Sequence, residues 1–251
     1  MDWRERDGLR WLEAELPGAR AAFSTRLGGA SEGPFESLNL GLYTEDAEGA
    51  VRTNRARLAA ALDRDPDGVL FGFQVHGAAI ERRERPPRPN PFTEPAGRPA
   101  ERDGQVTSHP TLTPLVQVAD CLPVALAGVR GVAMLHCGWR GLAAGIVARG
   151  AEEVGATAAA IGPGIGPCCY EVGPEVLAAF DELGDGVADG VADGRMLDLP
   201  EVARRLLARA GIRAVESTGL CTSCEPDLFF SHRRDAGRTG RQAGLAWIDA
   251  P

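Results

Sequence analysis

The chain has no lysine: all 27 of its basic side chains are arginine. Chemistry that runs through a Schiff base on a lysine amine is therefore excluded. Histidine is scarce too, so a site built on imidazole must draw on His76, His109, His136 and His232. No run approaches the roughly 18 apolar residues of a membrane-spanning helix. Residues 1–10 are charged and lack the apolar centre of a signal peptide. These absences predict a cytoplasmic chain whose six cysteines are reduced thiols or metal ligands, not a disulfide framework. Positive charge is outweighed as well. A net charge of −8 and a pI near 5.1 argue against nucleic acid and membrane surfaces as partners. A local basic pocket for one anionic substrate stays compatible with that field.

What is present is a foldable core, since 44% of the 251 residues are hydrophobic. Apolar runs of strand length cover 20–24, 69–75, 115–118, 122–127, 132–136, 158–161 and 212–216. Helical patterns cover 51–62, 141–154, 174–183 and 200–210, and Pro174 and Pro200 suit first helical positions. Alternating strands and helices indicate an α/β or α+β domain. Six prolines between Arg82 and Gly104 predict a loop, read as a solvated insertion, with a lid over the site as the alternative. The tandem DGVADGVADG at 185–194 reads as an exposed loop without chemistry.

Chemistry concentrates at predicted strand ends. His76 closes Phe73-Gln-Val-His-Gly77, Cys121 sits in Val118-Ala-Asp-Cys-Leu-Pro123, and His136 sits in Ala133-Met-Leu-His-Cys-Gly-Trp-Arg-Gly141. Two imidazoles and a thiolate suit zinc and leave a fourth position for water or substrate, as in catalytic sites. The wide spacing does not decide between this and ordinary core or surface histidines.

Ordered motifs add to the residues. They are Phe23-Ser-Thr-Arg-Leu-Gly-Gly29, Ser37-Leu-Asn-Leu-Gly41, Gln74-Val-His-Gly77, Ala119-Asp-Cys-Leu-Pro123, His136-Cys-Gly-Trp-Arg-Gly141, Ile161-Gly-Pro-Gly-Ile-Gly-Pro-Cys-Cys-Tyr-Glu-Val172 and Leu228-Phe-Phe-Ser-His-Arg-Arg-Asp235, followed by Thr239-Gly-Arg-Gln-Ala-Gly244. In these the chain resembles the YfiH/laccase-domain family, also called the multicopper polyphenol oxidase or purine nucleoside phosphorylase family. The resemblance implies a single domain over 1–251, with two mixed sheets layered between helices in a cysteine-hydrolase-like αββα sandwich. It implies zinc on His76, Cys121 and His136. It also implies phosphorolysis of adenosine, inosine, guanosine and 5′-methylthioadenosine, with adenosine deamination as a second reaction. The chain departs from the family in having Cys137 where alanine is usual, and Gly164 where cysteine is frequent. On a strand Cys137 should point away from His136, which favours His136 as the ligand.

Purine nucleosides and inorganic phosphate are the expected partners of a chain read as a monomer. Arginine forks suit phosphate, and Arg26 and Arg234 are preferred over Arg140 and Arg233, all four having structural ion pairing as the alternative. Asn39 and Gln74 are candidates for ribose or base, or for structure. Asp120 is a candidate proton carrier or partner of a histidine, or an anchor of its turn. Cys221-Thr-Ser-Cys224 has a ligand-like spacing that Cys168 and Cys169 could complete. No second such spacing exists, and the resemblance implies no metal there. His109 is read as a surface residue and His232 as a weaker pocket candidate. Copper is disfavoured, because a multicopper centre needs many more histidines than four. Two other functions remain open: a metal-independent Cys–His hydrolase or amidase, and a factor that edits peptidoglycan precursors.

Overall fold

Small side chains set how closely the central layers of this molecule approach. The computed structural model describes residues 1–94, 97–184 and 186–249. One sheet runs β1 (Asp2–Arg6), β2 (Leu9–Leu16), β3 (Ala19–Ser24), β14 (Gln242–Ile248), β7 (Thr113–Val118) and β4 (Val69–Leu70), antiparallel except for the β4–β7 pair. The other runs β13 (Ala214–Ser217), β10 (Ala156–Ile161), β8 (Leu122–Gly128), β9 (Gly131–Cys137), β6 (Gly104–Thr107) and β5 (Ile80–Arg82), with parallel pairs at both edges. β11 (Ala192–Asp193) and β12 (Met196–Leu197) form a separate short hairpin. Ala14, Ala21, Ala125, Ala127, Ala158, Ala160 and Ala246 meet between the sheets, with Phe23 and Met134 filling the space that alanine leaves.

Alternate residues on the same strands face outward into two further cores. Leu122, Val124, Leu126, Ala133 and Leu135 pack on α3 (Ile146–Val154), α4 (Pro174–Asp181) and α5 (Leu199–Arg209). Trp11, Leu115, Leu245 and Trp247 pack on α1 (Glu48–Ala61) through Leu58 and Ala61. The result is the expected mixed α/β sandwich, with two sheets between helical layers.

Local departures have physical causes. The helical pattern at 141–154 splits into α2 (Trp139–Ala143) and α3, because Gly145 takes a left-handed φ of 83°. The run at 69–75 stays in the sheet only as β4. Beyond it, the Gln74 side chain donates to the Gln117 carbonyl and accepts from its amide at 2.6 and 2.8 Å, replacing a backbone rung. That substitution lets the chain turn out of the sheet towards His76.

The proline-rich segment is not a wholly solvated insertion, although Pro95 and Ala96 lie outside the described residues. Phe92 is buried against Leu58 and Phe71 in the core beneath α1. Arg55, 2% exposed, donates to the carbonyls of Leu40, Pro91 and Phe92 and lies over the Phe71 and Phe92 rings. The tandem at 185–194 is likewise only partly exposed; Asp185 lies outside the described residues, but Val187 and Val191 enter the core beside α5. Arg205 of α5 holds that turn by donating to the carbonyls of Gly186 and Asp189.

Arg55→Ala would strand the buried Phe92 carbonyl and the half-buried Pro91 carbonyl, each costing about 1–3 kcal/mol when left unpaired. It would also empty the space over the Phe71 and Phe92 rings, while the Leu40 carbonyl keeps the Gln117 side-chain amide. Urea unfolding should show a loss of roughly 3 kcal/mol or more; a loss below about 1 kcal/mol would mean that Arg55 does not pin the segment.

Candidate active site and metal centre

β7 ends in one sheet and β8 begins in the other, so residues 119–121 cross between them and place Cys121 at the open end of the sandwich. On β9, Val132 and Met134 face the opposite sheet, and His136 continues that face to the same end. Cys137 points the other way, into the core against the helices. Burial, with the neighbouring charges of Cys121 and Asp103, raises its pKa well above that of an ordinary thiol, so it stays protonated. His76 arrives from the chain leaving β4, with its backbone held at φ 62°.

One buried carboxylate organises all of this. Asp103, directly before β6, accepts the backbone amides of Val75, His76 and Gly77 at 3.2, 2.9 and 2.8 Å. Its Oδ1 also lies 2.8 Å from His136 Nδ1. With Asp103 ionised, Nδ1–H donates and Nε2 is left to face the site. The two imidazole rings stand 4.9 Å apart. Gly138 allows this approach, because a Cβ there would fall 2.9 Å from Cys121 Sγ and 3.2 Å from His76 Cδ2.

The donor atoms of His76, Cys121 and His136 lie within 4.8 Å of one another. Two imidazole nitrogens and a thiolate, with one side open to a cavity, fit a catalytic metal site. Without an ion the site already separates charge. Burial pushes the Cys121 pKa up, but the His136 charge and hydrogen bonds from both histidines outweigh it and bring it down to about 6. Burial likewise opposes protonation of His136, yet the Cys121 thiolate and Asp103 raise its pKa to about 9.

The cavity above the triad holds about 460 Å³ and is lined by Arg140, Arg233, Arg241, Gln74, Asp120 and His232 among others. Tyr43, Phe71, Phe73, Trp139 and Tyr170 give it aromatic walls. Tyr170 is pushed up to about 12 by burial and by the Cys121 charge, so its phenol remains a donor at neutral pH. No described residue between 82 and 104 lines the cavity. The segment reaches its rim, where Tyr43 donates to the Gly97 carbonyl and Arg98 covers the Phe73 ring at 3.6 Å.

Several expected residues lie elsewhere. Arg26 is outside the cavity lining; its guanidinium donates to the carbonyls of Glu36 and Pro226 and packs on Phe230. Arg234 is spent on Asp235 and on the carbonyls of Thr222 and Phe229. Of the arginines, Arg140, Arg233 and Arg241 line the cavity, and neither Arg26 nor Arg234 does. Asn39 is fully buried, and its Oδ1 accepts the amides of Gly41 and Arg241, so it shapes the wall without lining it. Gln74 lines the cavity, but its amide is engaged by Gln117.

Asp120, at φ 92°, takes the Thr222 hydroxyl at 2.6 Å on one oxygen and the Arg233 amide at 2.7 Å on the other. That is the turn-anchoring role, and the histidine is oriented by Asp103 instead. His109 lies exposed on its turn. Asp103 was missed because no local pattern marks it, and Tyr170 stood inside a quoted motif without being singled out. Arg241 stood inside a quoted motif and was passed over for its neighbours.

In metal-free protein, alkylation of Cys121 should rise through pH about 6, below the usual thiol range near 8.5. Asp103→Asn removes the carboxylate that keeps His136 protonated, so the midpoint should move up. The same variant should bind metal roughly 10–100-fold more weakly in a chelator competition. An unmoved midpoint and affinity would contradict the role assigned to Asp103.

Comparisons with known proteins place the chain in a family. Residues 20–249 match the family model described as multi-copper polyphenol oxidoreductase laccase. A protein of Pseudomonas aeruginosa named purine nucleoside phosphorylase is 35% identical, over 95% of this chain and 98% of its own length. The Escherichia coli protein named purine nucleoside phosphorylase YfiH is 35% identical, over 92% of this chain and 94% of its own. The crystal structure of the Bacillus licheniformis hypothetical protein YfiH superposes with a TM-score of 0.90 at 34% identity, covering 98% of this chain and 99% of that one. From the family match, the identity along nearly the whole length and the shared fold, the chain belongs to the YfiH/laccase-domain family.

Proposed function

We propose that the chain is a zinc-dependent purine nucleoside phosphorylase acting on adenosine, inosine, guanosine and 5′-methylthioadenosine, with adenosine deamination as a second reaction. The observation that carries this reading is the meeting of a His/Cys/His donor set and three arginines in one aromatic-walled cavity. The names of its relatives support the phosphorylase class.

In phosphorolysis a phosphate oxygen forms a bond to the anomeric carbon while the bond from that carbon to the base nitrogen breaks. The electron pair leaves with the purine, which is protonated and released beside ribose 1-phosphate. Arg140 and Arg241 hold the phosphate in this reading, Arg241 lining the cavity with one amino group donating to the carbonyls of Thr239 and Gly240. Aromatic walls stack the base, and Tyr170 supplies a hydrogen bond to the leaving purine. Arg233 keeps its backbone on Asp120 and its guanidinium on the Glu171 carbonyl, which makes it a wall first and an anion ligand second. Zinc on His76, Cys121 and His136 would supply a Lewis acid at the cavity floor.

Adenosine offered to metal-loaded protein with phosphate should give adenine and ribose 1-phosphate by mass spectrometry, and Cys121→Ala should abolish both. Inosine formed equally well without phosphate would make deamination the main reaction. Neither product from loaded protein would sink the nucleoside reading.

A second reading has one specific observation in its favour. Cys121, His136 and Asp103 form a thiolate–imidazole–carboxylate chain of the kind that cysteine hydrolases use. His76 separates the two. His76→Ala removes a metal donor but leaves that chain intact. Turnover should fall by at least roughly a hundredfold if the site works through metal; turnover retained within a few-fold would favour the hydrolase.

A further inference from the structure

Four cysteines that the proposed reaction does not use converge at a second place. The sulfurs of Cys168, Cys169, Cys221 and Cys224 all lie within 4.8 Å of one another. Two tight turns bring them there. In the first, the amides of Cys169 and Tyr170 both donate to the Gly166 carbonyl, so adjacent cysteines present their thiols to one side instead of alternating. In the second, the amides of Cys224 and Glu225 both donate to the Cys221 carbonyl, folding Cys221-Thr-Ser-Cys224 onto itself.

The arrangement is that of a centre, not of paired bonds. Cys224 Sγ stands 3.3 Å from Cys168 Sγ and 3.4 Å from Cys169 Sγ, making no choice between them, and all four residues are free thiols. Cys221 Sγ accepts the Gly166 amide at 3.3 Å. A neutral thiol is a weak acceptor and gains little from such bonds, whereas a thiolate gains substantially.

We propose that Cys168, Cys169, Cys221 and Cys224 bind one thiophilic divalent cation of the zinc class in a closed, four-thiolate site that clamps a wall of the cavity. A closed set of four sulfurs leaves no open position, which marks the site as structural. Binding displaces the remaining thiol protons to solvent. Its place in the fold explains its use. One limb of the clamp carries Ile165 and Tyr170, the other carries His232 and Arg233, and all four line the cavity. Thr222, inside the second turn, bonds both the Gly164 carbonyl through its amide and Asp120 through its hydroxyl, so the clamp reaches the residue preceding Cys121.

The test is zinc loading of the reduced, metal-free full chain, followed by desalting and metal analysis. Wild type should retain two ions per chain, Cys168→Ser/Cys224→Ser one, and Cys121→Ser one. A single ion in wild type that the double variant keeps, or two in the double variant, would overturn the site. Should the double variant fail to fold, alkylation of wild type decides. Added zinc should slow iodoacetamide modification of these four cysteines by roughly tenfold or more, and a chelator should restore it. Unchanged modification at these positions, or a disulfide among them in protein kept reduced, would overturn the site.

Discussion

The Asp103 carboxylate is the interaction on which the active end of this protein depends. Four donors converge on it: three successive amides of residues 75–77 and the Nδ1–H of His136. The amides hold His76 in a left-handed conformation that a histidine seldom takes. The imidazole contact fixes the tautomer of His136. Two donors far apart in the chain are thus aimed at Cys121 by a single buried charge. Asp103 is fully buried, and its negative charge is tolerated because every lobe of it is engaged.

The sandwich supplies the rest by geometry. Alanines between the sheets bring them close, and the crossing from β7 to β8 is short enough that Cys121 and His136 stand at one end of both layers. A chain without lysine also uses arginine for two unlike tasks. Arg26, Arg55 and Arg234 turn several donors each onto backbone carbonyls and tie loops together. Arg140 and Arg241 line the cavity, Arg241 while also donating to the carbonyls of Thr239 and Gly240. The planar five-donor guanidinium suits both tasks, so residue type alone could not separate them.

Much of this was legible beforehand, for identifiable reasons. Strands β8, β9 and β10 are continuous apolar runs because both faces are buried, and they read clearly. β2 did not, since its buried Glu13 sits among Arg4 and Arg20 and breaks the pattern. The opposite facing of His136 and Cys137 followed from strand alternation alone. Asp103 was invisible because its partners lie 26 to 33 residues away, across a proline-rich segment and a sheet. Arg26 and Arg234 were preferred for the fit of a guanidinium fork to phosphate, but carbonyls from other loops take up their donors. The cysteine cluster was discounted for want of a second Cys-x-x-Cys; a tight turn lets two adjacent cysteines take its place.

The central question is whether His76, Cys121 and His136 work as a metal centre. Adenosine turnover should be followed as zinc is titrated into metal-free protein, with occupancy at His76, Cys121 and His136 measured on the same samples. Turnover rising in proportion to that occupancy, from nothing in the metal-free chain, is the predicted result. Full turnover in metal-free protein would contradict it and leave Cys121, His136 and Asp103 acting without a metal.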